Sequence, residues 1–374
     1  MAELNWDKVE QYISEGFIQK TSHPNLPLFI YNYTHLAQFK YFFPYEVRQC
    51  RGLVADINNR IVSKPFEKFF NYGDSKEIQE QAGIPLHELY SQNFEVYEKL
   101  DGSMITIVND KEYGLIIASR GSFTSDQTLW AKEIYEEYRF RIDSNLTYVC
   151  ELIHPSNRIV VDYHGQKALW LLTIVDNLTW EELSYDQCKF YTDWEHRLVK
   201  RFQVEHFNGY QANEILSRIY PNSRGSENEG IVIKFLGSNI RVKVKLEEYI
   251  RLHKILFQLS DKAIWEACCL GQSVSKELEN EQGFPEEIIS WAKEEELAFF
   301  QSFSSILGLT KAFFNSVDLT LPRKDIAAIF KRYPYPQILF GMLDKYEDSR
   351  INEMIWKLLK PEKTQFFTKR IIEE

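Results

Sequence analysis

The chain has few of the features that mark secreted or membrane proteins. Its 374 residues include only five cysteines, which form no CxxC pair and are odd in number. Irregularly spaced cysteines of this kind indicate reduced thiols rather than a disulfide framework. The N-terminal residues show no basic segment followed by an apolar one, and no apolar stretch reaches the length of a transmembrane helix. We therefore expect a cytoplasmic protein with no membrane association.

Positive charge is also scarce. The chain has 44 lysines and arginines against 54 acidic residues, which gives a net formal charge of −10. This balance excludes a protein that coats nucleic acid through bulk positive charge, although it allows a local basic groove. Neither a GxxxxGK(S/T) pattern nor a strand–GxGxxG–helix pattern occurs, so any nucleotide site has to be built from side chains.

What the chain does have is enough apolar material for a large core and two domains, at 44% hydrophobic and 15% aromatic residues. In residues 1–245, helices such as Trp6–Glu15 and Thr124–Phe140 alternate with strand-like runs. The predicted strands are Phe94–Tyr97, Met104–Val108, Leu115–Ser119, Thr147–Ile153, Arg158–Tyr163, Ala168–Val175, Glu229–Phe235 and Ile240–Val244. Strands that follow one another without regular helices favour antiparallel sheets, so this part is predicted to be α+β.

After Lys245 the strand patterns nearly vanish, which predicts an all-α C-terminal domain over residues 246–374. The predicted helices are Leu246–Leu259, Lys262–Leu270, Pro285–Phe303, Lys324–Tyr333 and Arg350–Leu359. Charge is uneven here, with a net −7 over residues 277–296 and a net +5 over residues 321–370. Two interpretations stay open, namely ordinary solvated helix faces or a surface that contacts phosphates.

The segment Lys99-Leu100-Asp101-Gly102-Ser103 is the most informative motif. It places a lysine among apolar residues directly before an Asp-Gly turn and a strand-like run. A buried lysine is costly as a cation, so its pKa can fall and its amine can act as a nucleophile.

Other ionisable residues lie in strand-like runs where a plain solvent-exposed role is the alternative. Glu151 sits among apolar neighbours and would need a partner, a ribose hydroxyl or a metal, unless it faces water at a strand end. Glu229 precedes Gly230, which would let a ligand approach closely. Lys243 and Lys245 share one face of a strand, where they could neutralise phosphate or simply be solvated.

Further upstream, Arg51 follows a cysteine, and lysines alternate with aromatic residues over the segment 64–71. Aromatic rings interleaved with lysines can stack a base and hold phosphates. They can equally be core aromatics with exposed lysines.

The order of these motifs resembles motifs I, III, IV and V of the covalent nucleotidyltransferases, which include DNA ligases, RNA ligases and mRNA capping enzymes. The resemblance is closer to the phage T4 RNA ligase 1 family. Its supporting segments are Tyr31–Tyr33, Cys50–Gly52, Pro65–Asn71, Pro155–Val160 and Arg241–His253. DNA ligases and capping enzymes normally carry an OB-fold after motif V, so the helical C-terminal pattern favours the RNA ligases.

This resemblance implies an ATP-dependent RNA ligase with an antiparallel-sheet nucleotidyltransferase domain. By this resemblance, Lys99 of this chain would be the nucleophile, and Lys243 and Lys245 would contact the α-phosphate. Glu229 would help to bind metal. Implied contacts to the nucleotide are Tyr31, Arg51, Lys68, Phe70 and Glu151, while Asp101 and Gly102 would shape the loop and Arg120 would be a weaker phosphate contact.

The same resemblance implies ATP as a substrate and Mg²⁺ as the metal, with Mn²⁺ able to replace it. The expected partner is RNA, as a broken tRNA or single-stranded ends, joined by a monomeric enzyme in the cytoplasm, or in the host cytoplasm if a phage encodes it. Two alternatives remain open, which are another covalent nucleotidyltransferase and a catalytically silent RNA-binding module.

Overall fold

The computed structural model describes residues 4–139, 141–190, 197–204, 212–222, 225–280, 284 and 286–362. The chain divides into two compact units, Met1–Arg251 and Leu252–Glu374. The first unit carries all the described strands, and the second is helical. The predicted α+β class, with antiparallel sheets followed by helices, is therefore confirmed.

Two four-stranded sheets of the first unit are antiparallel throughout. The first has the order β1-β2-β3-β4, with β1 Ile18–Ser22, β2 Leu28–Tyr33, β3 Arg51–Asp56 and β4 Ile61–Ser63. The second has the order β10-β9-β7-β8, with β7 Ser103–Asp110, β8 Gly114–Ser119, β9 Leu146–Ile153 and β10 Ala168–Asp176.

The third sheet has five strands in the order β11-β6-β12-β13-β5. Its members are β5 Phe70–Asn71, β6 Phe94–Lys99, β11 Arg201–Phe202, β12 Gly230–Phe235 and β13 Ile240–Lys245. Only the β13–β5 pair within it is parallel. Val242 and Val244 of β13 face a core that also contains Ile231 and Ile233, so Lys243 and Lys245 lie on the opposite face.

Short helices cover this unit. They are α1 Trp6–Ser14, α2 His35–Phe39, α3 Tyr45–Gln49, α4 Ser75–Ala82, α5 Leu86–Tyr90, α6 Asp126–Tyr138, α7 Tyr185–Phe190 and α8 Ala212–Ile219. Asn5 caps α1 and Ser125 caps α6, each through a side-chain oxygen that accepts a hydrogen bond from a backbone amide of the first turn.

Helices make up the rest of the described chain, and the longest of them packs against four others. These helices are α9 Glu247–Gln258, α10 Asp261–Cys269, α11 Val274–Asn280, α12 Glu286–Ser316, α13 Arg323–Phe330, α14 Pro336–Leu343 and α15 Asp348–Leu358. The sequence patterns did not predict α11 or α14, and the helix predicted over Pro285–Phe303 extends to Ser316 in the structure.

Two further expectations were wrong. Residues 158–163 form no strand, because the amides of Val160 and Val161 bond to a side chain, Asp101, and a short 3₁₀ helix precedes them at Pro155–Asn157. In addition, Ile288–Ser316 of α12 is long and apolar enough to span a membrane by length and composition, with mean hydropathy 1.3 over an 18-residue window. Only 11% of that window is buried in the structure.

Candidate active site

Three strands of the third sheet bring two lysines into one row. Gly230 of β12 is paired with Lys99 of β6 on one side and with Lys245 of β13 on the other. Residues directly opposite each other in a sheet point to the same face, and glycine places no side chain between the two amines. A Cβ at Gly230 would lie 2.1 Å from the carbonyl oxygen of Val244, and the residue has a φ of +152°. The close strand approach therefore requires glycine here.

Glu229 joins the two lysines. Its Oε2 accepts a hydrogen bond from Lys99 Nζ at 2.6 Å, and its Oε1 lies 2.7 Å from Lys245 Nζ. Only 3% of the Glu229 side chain is exposed. Burial alone would raise the pKa of this carboxyl, but Lys99 and Lys245 outweigh burial and hold it below its usual value. Glu229 is thus a buried carboxylate between two ammonium groups.

The charge state of Lys99 differs from the sequence-based expectation. Burial lowers its pKa, but the carboxylates of Glu229, Glu151 and Asp101 outweigh burial, so the pKa is raised above its usual value. The sequence suggests an apolar setting because Lys99 has apolar neighbours in the chain. Asp101 follows Lys99 closely in the sequence, but Glu151 and Glu229 are distant in the sequence and are brought to it only by the fold.

Asp101 holds the loop that follows Lys99. Its Oδ2 accepts hydrogen bonds from the amides of Val160 and Val161, each at 2.9 Å, and its Oδ1 accepts one from the Tyr249 hydroxyl at 2.6 Å. Its own amide donates to the Tyr163 hydroxyl at 2.7 Å. These contacts fix the loop backbone.

Gly102, next in this loop, lies tightly against β9. A Cβ there would lie 2.2 Å from the carbonyl oxygen of Leu152, so no larger residue fits without moving the strand. The loop shape proposed for Asp101 and Gly102 thus has a clear physical basis.

Glu151 of β9 is close enough to Lys99 and Glu229 for their charges to affect its pKa. Burial raises its pKa to about 7, with Glu229 adding to the effect while Lys99 and Arg51 oppose it. A carboxyl that titrates near neutrality can accept or donate a hydrogen bond. This behaviour suits a contact to a ribose hydroxyl or to a metal ion.

Lys243 is surrounded by other cations. Burial, together with the neighbouring cations Lys68, Lys99, Lys245 and Arg51, lowers its pKa to about 6. Among the described residues no ion pair to a carboxylate is recorded for it. At neutral pH this amine is therefore mostly neutral without a ligand, and an anion such as a phosphate would favour its protonated form and bind to it.

Arg51, Lys68 and Arg120 meet around Tyr33. Burial raises the pKa of the Tyr33 hydroxyl, but these three cations outweigh burial and hold it below its usual value. The Arg120 guanidinium lies 5.5 Å from the centre of the Tyr33 ring. The structure therefore places Arg120 in the same cationic group as Arg51 and Lys68.

Two aromatic residues of the predicted nucleotide site face elsewhere. Tyr31 is completely buried, with its ring against Trp6 at 5.3 Å between centroids and near Lys20. Phe70 is 1% exposed and belongs to the core beneath β13. We correct both assignments.

Their sequence neighbours occupy the site instead. Tyr33 lies among the cations, and the Phe69 ring lies 5.5 Å from the Arg51 guanidinium and 5.7 Å from Lys243 Nζ. Phe70 acts from the core, where its ring packs 4.9 Å from Lys68 Nζ. Tyr33 and Phe69 belong to segments that the sequence singled out, but the sequence could not show which ring faces the site.

A divalent metal fits this arrangement only together with a substrate. No group of three or more histidine, cysteine or acidic residues able to hold a metal is found in the part of the chain that the structure describes. The carboxylates of Glu151 and Glu229 could supply one or two oxygens. Mg²⁺ usually takes its other ligands from water and phosphates, so a sparse protein site suits it.

A family model described as RNA ligase matches residues 49–250, which is more than half of the chain and includes every cation of the site. The chain belongs to the RNA ligase family.

The chain is also similar to proteins from viruses and bacteria. It is 29% identical over 236 residues to a protein of Autographa californica nuclear polyhedrosis virus described as a bifunctional polynucleotide kinase/RNA ligase, covering 56% of this chain and 31% of that protein. It is 25% identical over 151 residues to an RNA ligase of Rhodothermus phage RM378, covering 30% of this chain and 34% of that protein. The chain spans about a third of the length of these curated relatives.

Solved structures of RNA ligases are among the similar folds. An RNA ligase of Naegleria gruberi, solved with ATP and manganese, has 17% identity and a TM-score of 0.39, covering 50% of this chain and 57% of that chain. An archaeal ATP-dependent RNA ligase has 13% identity and a TM-score of 0.45, covering 80% and 79%.

Proposed function

We propose that this protein is an ATP-dependent RNA ligase that joins a 5′-phosphate to a 3′-hydroxyl through a lysyl-AMP intermediate. The observation that carries the proposal is the row of Lys99, Glu229 and Lys245, with Lys243 beside it in an anion-binding position. Membership of the RNA ligase family supports it.

In the first step, the neutral amine of Lys99 attacks the α-phosphorus of ATP. A nitrogen–phosphorus bond forms, the bond from that phosphorus to the pyrophosphate oxygen breaks, and the amine loses a proton. Glu229 Oε2, at 2.6 Å, is within reach of that proton. Lys243 and Lys245 stabilise the charge that develops on the phosphate oxygens.

The two later steps need the same cations. AMP passes from Lys99 to the RNA 5′-phosphate, which breaks the nitrogen–phosphorus bond and forms a phosphoanhydride. The RNA 3′-hydroxyl then attacks the 5′-phosphorus, so AMP leaves and a phosphodiester forms. Positioning and charge neutralisation supply most of the rate in such transfers.

The other residues have supporting roles in this proposal. Glu151 contacts the ribose, and Arg51, Lys68 and Arg120 bind phosphates of ATP or RNA. A bound Mg²⁺ or Mn²⁺, held through Glu229 or Glu151, would neutralise phosphate charge. The RNA substrate as a broken tRNA, and the action as a monomer, are further parts of the proposal.

Labelling with α-labelled ATP tests the proposal. The unaltered protein should form a covalent protein–AMP adduct, and Lys99→Ala should abolish it because the attacking nitrogen is absent. Lys111→Ala, which alters an exposed lysine in the turn after β7, is the matched control and should label normally. A labelled Lys99→Ala protein would exclude Lys99 as the nucleophile.

The same assay separates the alternatives. Labelling by GTP in place of ATP would favour a capping enzyme, and sealing of nicked DNA but not RNA would favour a DNA ligase. No adduct with either nucleotide would favour a silent RNA-binding module.

A further inference from the structure

A cavity of about 280 Å³ lies in the first unit, next to the cations of the candidate active site. Its lining includes the rings of Tyr45, Phe66, Phe69 and Trp180 together with the cations Lys64 and Arg241. Phe69 belongs both to this cavity and to the candidate active site. The centre of its ring also lies 5.5 Å from the Arg51 guanidinium and 5.7 Å from Lys243 Nζ. A ligand in this cavity would thus be separated from the phosphate-binding cations by one aromatic ring.

Lys64 is the most unusual residue of the cavity. It is 5% exposed, and its Nζ donates one recorded hydrogen bond, to the carbonyl oxygen of Pro65 at 2.9 Å. It also lies 5.2 Å from the centre of the Trp180 ring. An ammonium has three protons to donate, so a single carbonyl leaves most of its capacity unused. A buried cation in this situation favours an anionic ligand.

The two carboxylates of the lining already have partners. Glu182 binds Lys234 at 2.9 Å and the Arg241 guanidinium, while Glu67 binds Arg48 at 3.3 Å. Neither has a recorded ion pair with Lys64. The ammonium therefore remains available to a ligand.

Burial lowers the pKa of Lys64 to about 8, with Arg241 adding to the effect and with Glu67, Glu182 and Cys50 opposing it. Lys64 is thus mostly protonated at neutral pH.

A second polar side chain of the cavity has unused hydrogen-bonding capacity. The Oε1 of Gln81, a residue of α4 that lines the cavity, is buried and has no hydrogen-bond partner, although its Nε2 donates to the carbonyl oxygen of Lys68. An unsatisfied buried acceptor costs free energy, so a turn of the Gln81 side chain that brings this oxygen to a ligand donor would be favourable. Exocyclic amino groups of nucleobases are donors of this kind.

A nucleotide combines the three features that the cavity offers. Its base can stack on aromatic rings, its phosphate can bind a lysine, and its amino or imino groups can donate to an amide oxygen. A volume of about 280 Å³ is close to the lower end of small-molecule sites, which suits one nucleotide rather than a longer segment.

We infer that this cavity binds one nucleotide of the RNA strand, with a phosphate on Lys64 and the base against the aromatic rings. The inference rests on the proposed function, because it takes the ligand of the cavity to be the RNA that the enzyme joins. It goes beyond that function by assigning an RNA subsite apart from the lysines that handle the adenylate.

The experiment measures binding of a short 5′-phosphorylated oligoribonucleotide to the full-length protein, alongside adduct formation with ATP. Lys64→Met keeps the length of the buried stem and removes the charge, so it should weaken oligonucleotide binding about tenfold, as expected for loss of one charge-assisted contact of about 1.4 kcal/mol. Adduct formation should stay unchanged. Lys20→Met is the matched control, since Lys20 also lies over aromatic rings, at 4.6 Å from Phe29, but does not line the cavity.

A second variant guards against a folding defect in Lys64→Met. Thr179→Phe alters an exposed position at the cavity lining and should weaken oligonucleotide binding by obstruction, with the buried lysine left in place. Wild-type affinity in both variants would overturn the inference.

A third measurement separates RNA from free pyrophosphate as the source of the phosphate. If Lys64→Met weakens inhibition by pyrophosphate and leaves oligonucleotide affinity intact, the cavity is a pyrophosphate site and the inference is wrong. The proposed function fails separately, if the unaltered protein forms no adduct with ATP.

Discussion

At the scale of single residues, the proposed nucleophile Lys99 has to lose a proton before it can react. Its ammonium is stabilised by Glu229 at 2.6 Å, and its pKa is raised above the usual value. Only the neutral amine can attack phosphorus. The carboxylate that positions the lysine therefore also opposes its deprotonation. In the proposed reaction, a metal ion held through Glu229 or Glu151 would offset this effect by neutralising carboxylate charge.

The variant Glu229→Gln tests whether Glu229 opposes the deprotonation of Lys99. The amide keeps the size of the side chain but removes the carboxylate, the largest of the contributions that raise the Lys99 pKa. The pKa of Lys99 should fall, so a larger fraction of the amine is neutral at any given pH below it. We expect the pH profile of adduct formation, measured in single-turnover labelling, to reach its half-maximal rate at lower pH than in the unaltered protein.

The pH at which adduct formation reaches half its maximal rate is informative even if Glu229→Gln lowers the maximal rate. Loss of a metal ligand would lower the rate at every pH without moving the midpoint. A midpoint that is unchanged, or higher, would contradict the role assigned to Glu229 in setting the charge of Lys99.

Sequence patterns identified most charged residues that the structure brings together, but not the aromatic ones. Lys243 and Lys245 are separated by an apolar residue in a clear strand, so their common face could be predicted. Phe69 and Phe70 are adjacent, and β5 has only two residues. A strand this short has no alternation from which to tell which ring faces the core. The same ambiguity led to Tyr31 in place of Tyr33.

At the scale of secondary-structure elements, the site depends on how closely β12 approaches its neighbours. Gly230 pairs with Lys99 and with Lys245, and a Cβ there would lie 2.1 Å from the carbonyl oxygen of Val244. A contact with backbone cannot be relieved by turning a side chain. The strands would have to separate, and the two lysines would separate with them.

We expect Gly230→Ala to destabilise the protein by on the order of 3 kcal/mol, from the steric clash together with a backbone conformation that alanine rarely adopts. Urea unfolding at neutral pH measures this loss. Gly73→Ala is the matched control, because a Cβ at Gly73 meets no atom within 4 Å. Equal stability of Gly230→Ala and the unaltered protein would show that the strand pair has room that the structure does not indicate.

The limits of prediction from sequence are clear in the segment after residue 157. Its valines and isoleucine suggested a strand over Arg158–Tyr163, because β-branched residues favour extended backbone. In the structure, the amides of Val160 and Val161 bind the Asp101 carboxylate instead of a neighbouring strand. Local propensity cannot show that a carboxylate some sixty residues away will take these donors.

At the scale of the whole molecule, the residues of the candidate active site and the basic segment 321–370 lie in different parts of the sequence. The proposed nucleotidyltransferase domain, residues 1–245, contains all the cations of the site, although Tyr249, which binds Asp101, follows it in the sequence. We propose that residues 246–374 contact RNA. This proposed division rests on the change in periodicity after Lys245, and the sequence does not predict the order of strands in the sheets. Strand order depends on contacts between distant residues, such as the parallel pairing of β5 with β13.

Removal of the C-terminal helices tests whether residues 1–245 form the adduct and residues 246–374 contact RNA. A chain ending at residue 259, after α9, keeps Lys99, Glu229, Lys243 and Lys245 and should still form the protein–AMP adduct. It loses residues 321–370, whose net charge is +5 in the sequence. Each phosphate contact that is lost reduces both RNA affinity and its salt dependence. We therefore expect at least a roughly tenfold loss in sealing of a tRNA cleaved in its anticodon loop, with a shallower dependence on salt concentration.

Sealing of a short single-stranded RNA provides the internal control, because a short strand should depend mainly on the cations beside Lys99. A truncated chain that seals both substrates as well as the full chain, with the same salt dependence, would place RNA recognition entirely in residues 1–259. Equal losses on both substrates would instead indicate a general defect in nucleotidyl transfer. A short RNA lacks the folded part of the tRNA that the C-terminal helices are proposed to contact, so loss of that contact alone would not affect it.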